Sequence, residues 1–200
     1  MAERKRGRGM INEALWALGR GTGITALLLL TITVALGIAT RSGRTLFGLP
    51  RFAVQSVHQF AALTSTLLVA LHVGTMIIDP YAQVNLIDAV VPFGSAYRGL
   101  WVGLGTLALD LLIVVIVSSL LRNRLGPSVF RALHWATYAL WPLAFVHTLG
   151  SGTDVGQLWM ITVCAVCALV VGAAVTVRLR TDFAEYQQTR LQPAGKAIPR

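Results

Sequence analysis

Residues 58–72 read HQFAALTSTLLVALH: thirteen uncharged residues closed at each end by a histidine. A run this apolar is at home in the hydrocarbon core of a bilayer, where an ionisable side chain is costly and marks a functional site by default. A second stretch, HWATYALWPLAFVH at 134–147, has the same form with twelve residues between its histidines. His58, His72, His134 and His147 are the only four histidines in the chain. One histidine at membrane depth reads as a hydrogen-bonded core residue. Two pairs do not.

The surrounding sequence supports a membrane setting. Of 200 residues, 55% are hydrophobic and only 12% charged, and the mean hydropathy of +0.67 is too apolar for a water-soluble domain. Five apolar segments, at 21–40, 52–78, 99–121, 132–149 and 157–177, approach the ~20 residues a helix needs to cross a bilayer. The expected fold is therefore all-α, an integral membrane bundle of about five transmembrane helices. A basic, amphipathic segment over 1–20 precedes it, and a short tail follows over 179–200. Cys164 and Cys167 have CxxC spacing but sit within MITVCAVCALVVGAAV. A redox or zinc pair needs a polar, accessible setting, so these two read as small apolar filler.

The net charge of +9 suggests nucleic acid when taken alone, but its placement does not. Arg41, Arg44 and Arg51 share one loop, Arg122, Arg124 and Arg131 another, and Arg178, Arg180, Arg190, Lys196 and Arg200 the tail. The alternate loops carry only Arg98, beside Asp79, Asp88 and Asp154. Basic loops stay cytoplasmic. The second and fourth segments then run outward, and the C-terminus of this multi-pass protein faces the cytoplasm. MAERKRGRG opposes that count, because five crossings place it outside; a cleaved signal peptide or a non-crossing INEALWALGR stretch are the alternatives.

Parallel second and fourth segments set His58 opposite His134 near the inner leaflet and His72 opposite His147 near the outer. The two levels lie about 20 Å apart along the helices. Each level offers two neutral imidazoles from facing helices, the axial ligation of a six-coordinate b-type haem. Fourteen residues at about 100° each bring His58 and His72 to one face. Thirteen leave His134 and His147 about 140° apart on a straight helix, so a bend at Pro142 is expected to make up the difference. No zinc or di-iron ligand set accompanies the histidines. Asp110, in GTLALDLLIVV, keeps a proton relay open; its plain reading is a protonated, hydrogen-bonded acid.

At these residues the chain resembles the ferric reductase-like transmembrane domain family. That family includes the membrane domains of NADPH oxidases and the haem subunit of a bacterial methionine sulfoxide reductase system. The paired-histidine spacing on two like-directed helices carries the resemblance over about residues 12 to 178. ALWALGRGTG, VVPFGSAYRGLW and RALHWATYALWPLAFVHTLGSGTD look like its actinobacterial-type, stand-alone members. The resemblance implies two b haems with His58, His72, His134 and His147 as iron ligands, and electron flow from the cytoplasm outward across the plasma membrane. Many members have six helices, and many carry a cytoplasmic flavin and NADPH domain. Neither a flavin nor a nicotinamide site is expected over residues 1–200. A separate flavoprotein reductase or a membrane quinol is then the expected donor, and the acceptor is extracytoplasmic. The protein is an oxidoreductase component on this reading. A haem-free proton-coupled transporter and a structural membrane subunit are the competing readings.

Around the haems, anionic propionates call for cations at the membrane surface. Arg20 and Arg98 are the expected partners at the outer level, with lipid-headgroup contact as their other use. Arg51 and Arg131 are candidates at the inner level, where the cytoplasmic bias of basic residues already accounts for them. Trp135, Tyr138, Trp141 and Phe145 either pack on porphyrin or form ordinary core. Gln55, Ser56 or Gln59 is expected to fix the His58 ring. Gly99 and Gly103 form a GxxxG that marks a close helix contact or leaves room for a porphyrin. Asp79 and Asp154 read as solvated loop residues, near where an acceptor or partner could dock.

Overall fold

The structure, a computed structural model, describes residues 2–41 and 48–180. Arg44 and the tail beyond residue 180 lie outside the described residues, as do the side chains of Arg41 and Arg51. Six helices follow in order: α1 (Ala2–Arg41), α2 (Arg51–Ile78), α3 (Gly99–Leu120), α4 (Arg122–His134), α5 (Thr137–Ser151) and α6 (Leu158–Arg180). A short 3₁₀ turn at Leu86–Ala89 lies in the α2–α3 connection. α1 passes through residue 20 without a break.

Among the described residues, four stretches are long and apolar enough to cross a membrane: Gly9–Thr40, Phe52–Ile78, Gly99–Leu120 and Leu158–Arg180. The large apolar side chains on their outer faces are exposed, as on Phe60 (72%), Leu67 (62%) and Leu169 (71%). In water such a surface would aggregate; in lipid it is at no disadvantage. The chain is a multi-pass, all-α membrane protein.

The fourth expected segment is not one continuous helix. α4 ends at His134, and the chain turns at Trp135 and Ala136 before α5 begins. α5 has 15 residues and rises only about 22 Å, short of a full crossing. Nor does Pro142 set the break, because α5 continues through it. Instead, Trp135, Ala136, Tyr138 and Ala139 donate to carbonyls three residues back, at 3.0–3.2 Å. Each residue wound at three per turn adds about 20° to the phase of an α-helix. Four or five such residues recover about 80–100° of the 140° by which His134 and His147 were out of phase. Farther back, Gly126 adopts φ 74° just before Pro127 and interrupts α4 as well.

Two helix pairs form the bundle. α1 packs on α2, α3 packs on α5, and α1 also touches α5 and α6. α2 and α5, which carry three of the four histidines, are not among the helix pairs in close backbone contact. Between the levels of the histidines lies the core of Leu27, Leu30, Leu112, Leu140, Trp141, Cys167 and Val171. Trp141 stacks on Phe145 at 5.1 Å and donates its indole N–H to Thr31 Oγ1 at 2.9 Å. Both cysteines are buried and unpaired by disulfide, with Cys167 wholly inaccessible. They are core filler. Replacing Thr31 by valine leaves the Trp141 N–H without its acceptor at nearly constant volume. A loss of about 1–3 kcal/mol is expected in a denaturation midpoint, with the fold retained.

Candidate functional site

Three of the four histidines are seated by one local device. On the antiparallel pair α1 and α2, the register sets Gly23 against His72 and Gly37 against His58. Gly23 and Gly37 are fourteen residues apart, the same interval as the two histidines. A Cβ on Gly23 would lie 2.9 Å from His72 Nδ1, and one on Gly37 would lie 3.1 Å from His58 Cε1. The absent side chains let each ring reach the backbone four residues earlier. His72 Nδ1–H donates to the Gly19 carbonyl at 2.7 Å, and His58 Nδ1–H donates to the Thr33 carbonyl at 2.9 Å. α3 and α5 repeat the device. A Cβ on Gly105 would lie 2.6 Å from His147 Nδ1, whose proton goes to the Trp101 carbonyl at 2.8 Å.

The chemical consequence follows from the tautomer. An imidazole that donates through Nδ1 keeps the lone pair on Nε2, ready for a metal. His72 and His147 are brought together with ring centroids 6.3 Å apart and planes at 75°. Both border one cavity of about 320 Å³ that opens between the two helix pairs. At the inner level, His58 lies against α1, and His134 lies against Phe130 at 5.3 Å. No group of three or more His, Cys, Asp or Glu gathers as a metal cluster among the described residues.

Arg20 and Arg98 both line the cavity at the His72 and His147 level. Arg20 pairs with Asp154 and lies 3.9 Å over the Trp16 ring. Arg98 donates from Nη1 to the Gly150 carbonyl at 3.0 Å. Its backbone is left-handed, at φ 46° and ψ 43°, where a non-glycine residue is uncommon and under strain. The turn that feeds α3 is held in that shape beside the cavity.

The structure corrects the expectations for the His58 ring and for the GxxxG. Gln55, Ser56 and Gln59 are exposed, and the His58 ring is fixed by Thr33 of the neighbouring helix. Gly103 of the GxxxG receives Phe93 from the α2–α3 connection, whose backbone N would lie 2.6 Å from an added Cβ. The space it leaves is taken by Phe93, not by a histidine ring. The glycine that serves a histidine is Gly105, two positions on. Trp141 and Phe145 are packed core, while Trp135 is 54% exposed near Arg178. Arg131 is exposed. Asp110 is half-buried and does not line the cavity.

Asp79 is not a solvated loop residue: it is 2% exposed and lines the cavity. The reason is that the α2–α3 connection folds back over the helix ends. Tyr81 N–H donates to Asp79 Oδ1 at 2.9 Å, and Thr106 Oγ1–H donates to the Asp88 carbonyl at 2.6 Å. Asp154 remains partly exposed, in its pair with Arg20.

Residues 22–145 of the chain match a family model, that of the ferric reductase like transmembrane component. The match takes in all four paired histidines except His147, which lies two residues beyond its end. No curated protein and no solved structure matches the chain. The chain belongs to the ferric reductase-like family. Membership points to transmembrane electron transfer with redox partners, and membrane domains of this family generally bind haem.

Proposed function

From membership of a family of transmembrane electron carriers, we propose that this chain passes single electrons across the plasma membrane through two bis-histidine b haems. His72 and His147 hold the outer haem; His58 and His134 hold the inner one. The observation that carries this reading is the outer pair. Two metal–nitrogen bonds of about 2 Å, plus the step from each nitrogen to its ring centre, put coaxial imidazole centroids about 6 Å apart. The His72 and His147 rings stand 6.3 Å apart, each held by its Nδ1–H. Two imidazoles are too few for a bare metal site, and a porphyrin brings the other four nitrogens itself. The space between α2 and α5, and the cavity both rings border, support the same group.

Haem, when bound, supplies one-electron iron chemistry, and the chain's own residues supply the rest. The carbonyls of Gly19, Thr33 and Trp101 hold proton and ring orientation, which keeps Nε2 basic. The core around Trp141 keeps water out of the span between the two levels. Arg20 and Arg98 hold the propionates of the outer haem, so its charge is balanced at the cavity mouth. Replacing Arg98 by glutamine removes a cation beside the electron's destination. The outer haem's midpoint potential is expected to fall by roughly tens of millivolts in a redox titration. The C-terminus faces the cytoplasm, where a flavoprotein reductase or a quinol delivers electrons, and the acceptor docks outside.

Proteoliposomes test the function directly. With dithionite outside and ferricyanide trapped within, the reconstituted protein should reduce the trapped oxidant much faster than protein-free vesicles do. Equal rates would overturn the proposal. Proton flux without electron transfer would support the transporter reading instead.

A further inference from the structure

Asp79 follows the last turn of α2, seven residues beyond His72, and is 2% exposed. Its Oδ1 accepts the Tyr81 N–H, while its Oδ2 is buried and has no hydrogen-bond partner among the described residues. The other acids of the same cavity are provided for. Asp88 Oδ2 accepts the Asn85 backbone N–H at 2.9 Å, and Asp154, whose Oδ2 also lacks a hydrogen bond among the described residues, has the Arg20 cation against it. A buried carboxylate oxygen with neither a donor nor a cation is expensive, and binding a proton removes most of that cost.

We propose that Asp79 is the proton-exchanging carboxyl of the outer site, binding one proton when an electron enters the cavity and releasing it when the electron leaves. The inference rests on the haem reading above. The accounting is one electron from a one-electron donor and one proton from the outer water. The only bond made or broken is the carboxyl O–H. Charge in the cavity then stays constant through each turnover. The charged groups facing this space are Arg20 from α1, Asp88 from the 3₁₀ turn, Arg98 at the head of α3 and Asp154 from the α5–α6 connection. Tyr81 and Tyr97 add phenols, and His72 and His147 are committed through Nδ1 to carbonyls. Both arginines already have partners, so neither answers Asp79 Oδ2.

The experiment is an equilibrium redox titration of the purified, haem-loaded protein at several pH values. The outer haem is identified as the one lost in His147→Ala. In the wild type its midpoint potential should fall as pH rises, approaching the tenfold-per-unit limit of about 59 mV for one electron. The inner haem should vary much less. In Asp79→Asn the outer slope should flatten, whereas Asp79→Glu and Asp88→Asn should keep it. A slope retained in Asp79→Asn, a slope lost in Asp88→Asn, or a pH-independent outer haem in the wild type overturns the assignment of Asp79. The Asp88→Asn arm and the wild-type slope decide the matter even where Asp79→Asn does not fold. Absence of haem from the wild type overturns the haem reading itself, a separate result from any slope.

Discussion

Replacing His147 or His72 with alanine should cut the haem content of the purified protein from about two per chain to about one. The remaining haem should keep its own potential and low-spin spectrum. The argument is positional. His72 and His147 line one cavity with ring centroids 6.3 Å apart, while His58 lies fourteen residues away down α2. Fourteen residues of helix amount to about 21 Å, too far for one vacancy to be filled from the other level. A structural role for the same rings predicts something else. Alanine would then lower stability by a few kcal/mol through the lost hydrogen bond and the cavity, and no cofactor would leave. Haem stoichiometry together with a melting curve separates the two outcomes. His58→Ala or His134→Ala should remove the other haem.

The second large effect concerns the glycines, and its sign is unusual. In an exposed helix interior, Gly→Ala stabilises by about 0.5–1 kcal/mol, because glycine loses more backbone freedom on folding. Gly74 and Gly172 face open space and should behave that way. Gly105 should do the reverse. A Cβ there would sit 2.6 Å from His147 Nδ1, inside any allowed contact, so the ring must swing away from the Trp101 carbonyl. Overpacking of this kind costs about 1–3 kcal/mol. The larger consequence is for the ligand: with its proton acceptor lost, Nε2 is no longer aimed or made basic. Gly105→Val should lose the outer haem almost completely, and Gly23→Val should do the same through His72. Gly37→Ala, at 3.1 Å from the ring, should be the mildest of the set. Parallel measurement of melting and haem content for Gly74→Ala and Gly105→Ala reads the opposite signs in one experiment.

Much of the architecture was legible from the chain because lipid imposes a simple rule. Apolar runs near helix-crossing length gave α2, α3 and α6 with ends close to those observed, and the C-terminal end of α1, which begins at Ala2 instead of residue 21 because the amphipathic INEALWALGR stretch continues the same helix. The fourth segment failed for a physical reason: hydropathy says where a chain is buried, not how tightly it winds. Nothing in HWATYALWPLAF marks Trp135 and Ala136 as the turn, whereas Pro142 draws attention and changes little. The seats of the histidines do have a signature in the sequence. Gly23 and Gly37 copy the fourteen-residue interval of His58 and His72, as an antiparallel neighbour would require. GxxxG at Gly99 and Gly103 was the more familiar pattern and the less relevant one. The burial of Asp79 was out of reach, since it depends on Tyr81, Asp88 and Phe93 folding the connection back over the bundle.

The central claim is that facing imidazoles bind iron at two depths, and a reduced-minus-oxidised spectrum with quantified haem tests it most directly. Protein purified in mild detergent should show the sharp bands of low-spin, bis-imidazole b haem, at about two haems per chain. A correctly folded protein that binds no haem, even when haem is supplied during expression, would contradict it.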